Sequence, residues 1–176
     1  DFPEVRWLDV LPDAYAGVVI GNEVLDAMPV NLVVKSGDGW LERGVALHGK
    51  DLVFEDRPCD RALAAQVPEQ DTLATGYLTE VHPQAAAFMR SLAAMLLAGR
   101  EQGGAGSVAL LIDYGFPARE YYHPQRSQGT LMCHYRHHAH PDPFYLPGLQ
   151  DVTAHVDFST VARAAVYAGL DLLGYA

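Results

Sequence analysis

The stretch GNEVLDAMPV, residues 21–30, sets an amide and two carboxylates, Asn22, Glu23 and Asp26, within five residues. They follow directly on the apolar run of residues 17–20. Two carboxylates so placed can hold a guanidinium by charge-assisted, bidentate hydrogen bonds, orient one nitrogen and leave its lone pair free to attack. A helix N-terminus, where acids are favoured by unpaired N–H groups, accounts for the same residues equally well.

Other chemistry-bearing groups are weaker. The run CHYRHHAHPDPF offers Cys133, His134, His137, His138 and His140, but the spacing matches no tetrahedral zinc pattern and the prolines argue for a loop, so no metal is expected. His155 and Asp157 suggest part of a triad, yet no GxSxG elbow supplies a nucleophile. Asp157 reads better as a helix cap. The glycine cluster at 103, 104 and 106 precedes a strand instead of opening a helix, so it reads as a linker and not as a dinucleotide fingerprint.

Several elements must position these groups. Residues 17–20 and 108–112 read as short, buried parallel strands, each ending in polar residues, Asn22 and Glu23 in one case and Asp113 and Tyr114 in the other. In open α/β sheets, ligands bind outside the carboxyl ends of such strands. Residues 5–8 suggest a further strand tip. Residues 31–57 alternate around the turn chemistry of Gly37-Asp38-Gly39 and His48-Gly49-Lys50, which predicts an antiparallel meander.

Residues 58–70 read as a polar connection with one helical turn. From Pro83 to residue 98 the apolar positions Phe88, Leu92, Met95 and Leu96 predict a helix, with Gly99 as its stop. Residues 116–150, broken by proline and glycine and rich in aromatics, read as a long lid or binding loop with a β-like piece at 130–135. Asp157 then caps a helix to residue 168, Gly169 ends it, and 170–175 read as a last strand.

The 176 residues, 49% hydrophobic, suffice for one globular domain. A formal charge of −10 speaks against nucleic acid as the main partner. The segment 119–140, with three arginines, five histidines and no lysine, is the local exception and a candidate contact surface. No apolar run is long enough to span a bilayer. Two cysteines far apart in sequence suggest neither a disulfide framework nor a zinc ribbon and fit a reducing compartment. No signal peptide is read at the start.

Three blocks taken together, GNEVLDAMPV, IDYGFPAREYYHPQRSQGTLMCHYRHHAHPDPF and PGLQDVTAHVDFSTVARAA, resemble the MidA-like S-adenosylmethionine-dependent methyltransferases in order and spacing. That family includes the mitochondrial complex I assembly arginine methyltransferase. The resemblance is to the carboxy-terminal portion. It implies that residues 1–176 are part of an α/β, class I methyltransferase (Rossmann-like) doubly wound sheet, with the meander inserted and the lid appended. The glycine-rich cofactor motif would precede Asp1.

The resemblance further implies S-adenosyl-L-methionine as cofactor. Trp7, Leu8 and Asp9 would lie near the adenine, and Gly21, Asn22 and Glu23 near the methionine. Glu23 and Asp26 would hold the methyl acceptor, and Tyr114, Tyr121, His123 and Arg126 would line a peptide groove. The implied acceptor is a protein arginine, with a respiratory complex I subunit as one candidate and a second copy of the chain as another partner. The implied location is the bacterial cytoplasm, or the mitochondrial matrix in a eukaryote. A non-catalytic assembly module of the same fold is the competing function.

Overall fold

The structure is a computed structural model that describes residues 3–103 and 106–176. Its strands and helices run in the order β1 (Val18–Asn22), β2 (Asn31–Ser36), β3 (Gly39–His48), β4 (Asp51–Pro58), α1 (Arg61–Ala64), β5 (Leu78–Val81), α2 (Pro83–Glu101) and β6 (Val108–Ile112). There follow β7 (Gly115–Phe116), α3 (Ala118–Tyr121), β8 (Met132–Tyr135), β9 (His138–His140), β10 (Asp151–Thr153), β11 (Val156–Asp157) and α4 (Phe158–Tyr167). The architecture is mixed α/β.

Strands β1 and β6 pair in parallel, Val18 opposite Val108 through Asn22 opposite Ile112. Successive side chains leave a strand on opposite faces. Val19, Ala109 and Leu111 therefore pack inward with Leu25, Leu92, Leu96 and Val161, on a core built by α2 and α4. The other face, with Val18, Ile20, Val108, Leu110 and Ile112, is open, and Ile20 is 68% exposed. Parallel strands are normally covered on both faces.

The second unit is a four-stranded antiparallel sheet in the order β4-β3-β2-β5. Val33 from β2 and Val81 from the edge strand β5 pack with Val67, Leu73, Tyr77, Tyr121 and Tyr122 in a separate core. The outer hairpin is braced across its face by Arg43–Asp56 and Arg57–Glu42, both at 2.8 Å. Gly49, at φ 67°, turns β3 into β4. The small sheet β10-β8-β9 and the pair β11-β7 complete the chain.

Three local expectations are corrected. Gly99 does not end α2, which runs on to Glu101. A Cβ at Gly99 would strike the backbone of Tyr15, whose N–H donates to the Met95 carbonyl at 3.1 Å. That glycine serves a close approach of two backbones, and the chain turns at Gly103, φ 85°. Residues 170–175 form no strand, because no neighbouring strand pairs with them, and residues 5–8 are likewise irregular. Of the expected linker glycines, Gly104 lies outside the described residues.

Candidate functional site at the strand ends

The parallel pair delivers two chain ends to one place. Glu23 follows β1 in the left-handed region, φ 52°, and its N–H donates to the Ile112 carbonyl of β6 at 2.8 Å. A non-glycine residue there is uncommon and costs about 1–3 kcal/mol, so the surroundings must enforce it. Two contacts do so. Leu25 is buried in the core under β1, and Asp113, just past β6, reaches across with Oδ2 to accept the Leu25 and Asp26 N–H groups at 2.8 and 3.4 Å. No helix starts here, which removes the helix-terminus explanation of the acids.

Glu23, Asp26 and Asp113 thus share the strand ends, with the Glu23 side chain in solvent. Asp26 Oδ1 is buried with no hydrogen-bond partner. Burial, then the neighbouring Asp113 charge, pushes the Asp26 carboxyl above the usual range; the Ala27 N–H partly offsets this, and Glu23 and Asp151 add to it. The site is therefore short of positive charge. Asp113 was visible in the sequence by the same strand-end rule that singled out Glu23, but its role as the tie between the two strands was not.

The other expected residues are dispersed. Gly21 is buried, and a Cβ there would lie 2.9 Å from Leu111 Cδ2, so its lack of a side chain serves packing on the inner face. Asn22 is exposed beside it. Trp7, 93% exposed, Leu8 and Asp9 lie in an irregular stretch, and among the described residues no hydrogen bond ties them to the β1 end. Tyr114 is 63% exposed next to the acids, its N–H held by Asp113 Oδ1 at 2.9 Å.

Tyr121 is fully buried and lines no open groove. Its hydroxyl donates to Glu80 Oε2 at 2.9 Å and lies 3.0 Å from His82 Nε2. Burial, then the Glu80 charge, drives its pKa far upward. Glu80 is itself fully buried. Its Oε1 accepts the Thr130 and Leu131 N–H groups at 2.7 and 3.0 Å, and Oε2 accepts the Thr130 hydroxyl at 3.2 Å. The carboxylate is met by hydrogen bonds alone. Its location was not legible, because residues 78–81 were not read as a strand.

His123 and Arg126 line an open hollow of about 470 Å³ together with Glu120, Gln125, Ser127, Gln128 and Gly129. The Arg126 guanidinium lies 4.1 Å from the centre of the Phe116 ring, and His155 meets that ring edge-on at 5.2 Å. Burial, then the Arg126 charge, pushes the His155 pKa down. The Ala154 N–H donates to the Asp26 carbonyl at 3.0 Å. A short chain of contacts therefore joins the acidic strand ends to the hollow. In the histidine run, Arg136 and His137, at φ 48° and 66°, make the tight turn between β8 and β9. Among the described residues, no three His, Cys, Asp or Glu side chains are grouped to hold a metal.

Among the described residues no helix is long and apolar enough to cross a membrane. The chain is similar in fold to a crystal structure from Burkholderia thailandensis bound to S-adenosyl-homocysteine, at 54% identity and TM-score 0.87, covering 98% of this chain and 43% of that one. A native crystal structure from the same organism matches at 55% identity and TM-score 0.88, with 99% and 45% covered. Among curated proteins it is 30% identical over 86% of its length to the Caenorhabditis elegans mitochondrial protein arginine methyltransferase NDUFAF7 homolog. It is 28% identical over 92% of its length to the mitochondrial protein arginine methyltransferase NDUFAF7 of Rattus norvegicus. It spans 33% and 34% of those two relatives. Residues 1–176 match the model of the family described as "Putative S-adenosyl-L-methionine-dependent methyltransferase", and the chain belongs to that family.

Proposed function

We propose that the protein carrying this chain transfers a methyl group from S-adenosyl-L-methionine to an arginine of a protein substrate, and that this chain supplies the acceptor side of the site. One observation carries the reading. At the end of β1, the solvent-facing Glu23 stands on a backbone locked by Ile112 and Asp113, beside Asp26 with its buried, unpartnered oxygen. Such a set suits a planar cation with several N–H donors.

The residues also fit the cofactor. The exposed Asn22 amide and Glu23 carboxylate can meet an ammonium group, so Asn22 and Glu23 would hold the methionine end, with Trp7, Leu8 and Asp9 toward the adenine. When bound, the cofactor supplies an electrophilic methyl group. Glu23 and Asp26 would receive the guanidinium, turn one nitrogen toward that methyl group and hold it in line for direct displacement, in which the N–C bond would form as the S–C bond breaks to leave the thioether and the nitrogen's surplus proton passes to solvent, so that positioning supplies most of the rate. Their negative charge stabilises the positive charge the guanidinium keeps through the reaction.

In this arrangement, residues 1–176 are part of a doubly wound sheet. The glycine-rich cofactor motif belongs to the rest of the polypeptide, which covers the open face of β1 and β6. Residues 31–57 form the inserted meander and 116–150 the lid over the acceptor; Tyr121 acts from inside as its anchor. A respiratory complex I subunit is the acceptor suggested by the family resemblance, the bacterial cytoplasm or the mitochondrial matrix the corresponding place, and pairing of two copies a further arrangement.

The test is a tritiated methyl-transfer reaction with the full-length protein and extract from a strain lacking it, followed by acid hydrolysis and chromatography. Label in methylarginine is the expected result. Label confined to another amino acid, or none, would refute it.

A further inference from the structure

Arg126 is held on several sides, yet among the described residues it makes no ion pair. Its guanidinium is stacked on Phe116 at 4.1 Å, and its Nε–H donates to the Glu120 carbonyl at 3.3 Å. Its own N–H donates to the His123 carbonyl at 2.8 Å. The following residues are tied down as well: the Ser127 carbonyl accepts the Leu78 N–H at 3.0 Å, and Thr130 and Leu131 are held by Glu80. Among the described residues, ion pairs are made by Arg43 and Arg57, and none by Arg126.

In a chain with 22 acidic and 12 basic residues, a held guanidinium facing an open hollow whose one lining carboxylate, Glu120, makes no ion pair with it is a conspicuous omission. Its charge, after burial, lowers the pKa of His155, which meets the same Phe116 ring edge-on. An arginine so fixed presents a planar fork of donors that matches a carboxylate.

We propose that Arg126 is a specificity residue for the methyl acceptor: its fork receives the carboxylate of an Asp or Glu that flanks the methylated arginine. This rests on the arginine-acceptor reading above. The site then has two poles, with acids at Glu23 and Asp26 for the target guanidinium and Arg126 for the acidic neighbour. An acceptor segment carrying both charges docks in one direction only, whereas a purely basic segment leaves Arg126 unmatched. His123 and Gln128, on the walls of the hollow, offer further polar groups to the same carboxylate.

The experiment uses the full-length protein and an array of fluorescein-labelled, arginine-centred peptides with Asp, Asn, Ala or Lys at each flanking position. Affinity is read by fluorescence anisotropy, and methyl transfer is followed separately. The best Asp peptides should bind about tenfold more tightly than their Asn counterparts, a difference of about 1.4 kcal/mol, and the advantage should shrink as salt rises. Arg126→Gln should erase it, so that Asp and Asn peptides bind alike. Arg126→Lys should recover only part, because an ammonium cannot fork. Urea midpoints of both variants report on folding.

Equal affinity of the wild-type protein for Asp and Asn peptides would overturn the proposal. So would an acidic preference that survives in Arg126→Gln. Loss of S-adenosyl-homocysteine affinity in Arg126→Gln, with 5′-methylthioadenosine affinity kept, would assign the fork to the cofactor's carboxylate and also overturn it. Because binding is measured without turnover, methylarginine formed without acidic preference rejects this inference alone, whereas Arg126-dependent acidic preference without methylarginine rejects the methylation reading alone.

Discussion

Glu80 and Thr130 are joined twice: Glu80 Oε1 accepts the Thr130 N–H at 2.7 Å and Oε2 accepts its hydroxyl at 3.2 Å. The pair fastens the segment after α3 to the edge of the antiparallel sheet, at the wall of the Arg126 hollow. Glu80→Ala would strand the part-buried Thr130 and Leu131 N–H groups and take one partner from the Tyr121 and Thr130 hydroxyls, and should lower stability by about 2–4 kcal/mol. Glu80→Gln keeps one acceptor and should cost about 1–3 kcal/mol. Urea unfolding of the full-length protein checks this through the midpoint at unchanged slope.

Gly129 sits at φ 71°, and a Cβ there would run into the Glu80 carboxylate. Gly129→Ala combines backbone strain of about 1 kcal/mol with that collision. It should destabilise by about 2 kcal/mol or more. In a double-mutant cycle with Glu80→Ala the two losses should fall clearly short of their sum, because the collision disappears with the carboxylate.

Gly99→Ala is a contest between two effects. Alanine gains about 0.8–1.0 kcal/mol over glycine in a helix interior. The new methyl would strike the Tyr15 backbone, and overpacking of this kind costs about 1–3 kcal/mol. Net destabilisation is the expected outcome. A rise in the thermal midpoint would show that the chain around Tyr15 moves aside without penalty.

Asp26 gives a pH signature. Its folded-state pKa is raised by burial and by Asp113, so the folded protein binds a proton more tightly there than the unfolded chain does. The ionised form is therefore penalised on folding. The penalty is absent below the unfolded value of 3.8 and grows as pH rises through the folded value. Asp26→Asn should raise the urea midpoint at neutral pH and lose that gain on acidification toward pH 3.8. A gain independent of pH would assign the effect to something other than charge.

Much of the frame was legible because burial leaves a periodic trace. The apolar runs before Asn22 and Asp113 gave the two strands that pair as β1 and β6, and Asp157, which accepts the Ser159 and Thr160 N–H groups at 3.0 and 3.3 Å, gave the start of α4. Other features depend on contacts distant in sequence. Gly99 looks like a helix stop until Tyr15 is seen against it, 84 residues away along the chain. The family resemblance implies a groove role for Tyr121, but its partner Glu80, 41 residues earlier, holds it inside. Residues 170–175 have strand composition, but a strand exists only where another pairs with it.

The central claim is that Glu23 holds the methyl acceptor by its charge. Glu23→Gln keeps the shape and removes the charge, and a hundredfold loss corresponds to about 2.7 kcal/mol. In the full-length protein, tritiated methyl transfer should fall at least ~100-fold, while calorimetry with S-adenosyl-homocysteine should show a loss of affinity of no more than about tenfold, since Asn22 and the rest of the polypeptide would keep most of its contacts. Methyl transfer by Glu23→Gln at the wild-type rate would contradict the account.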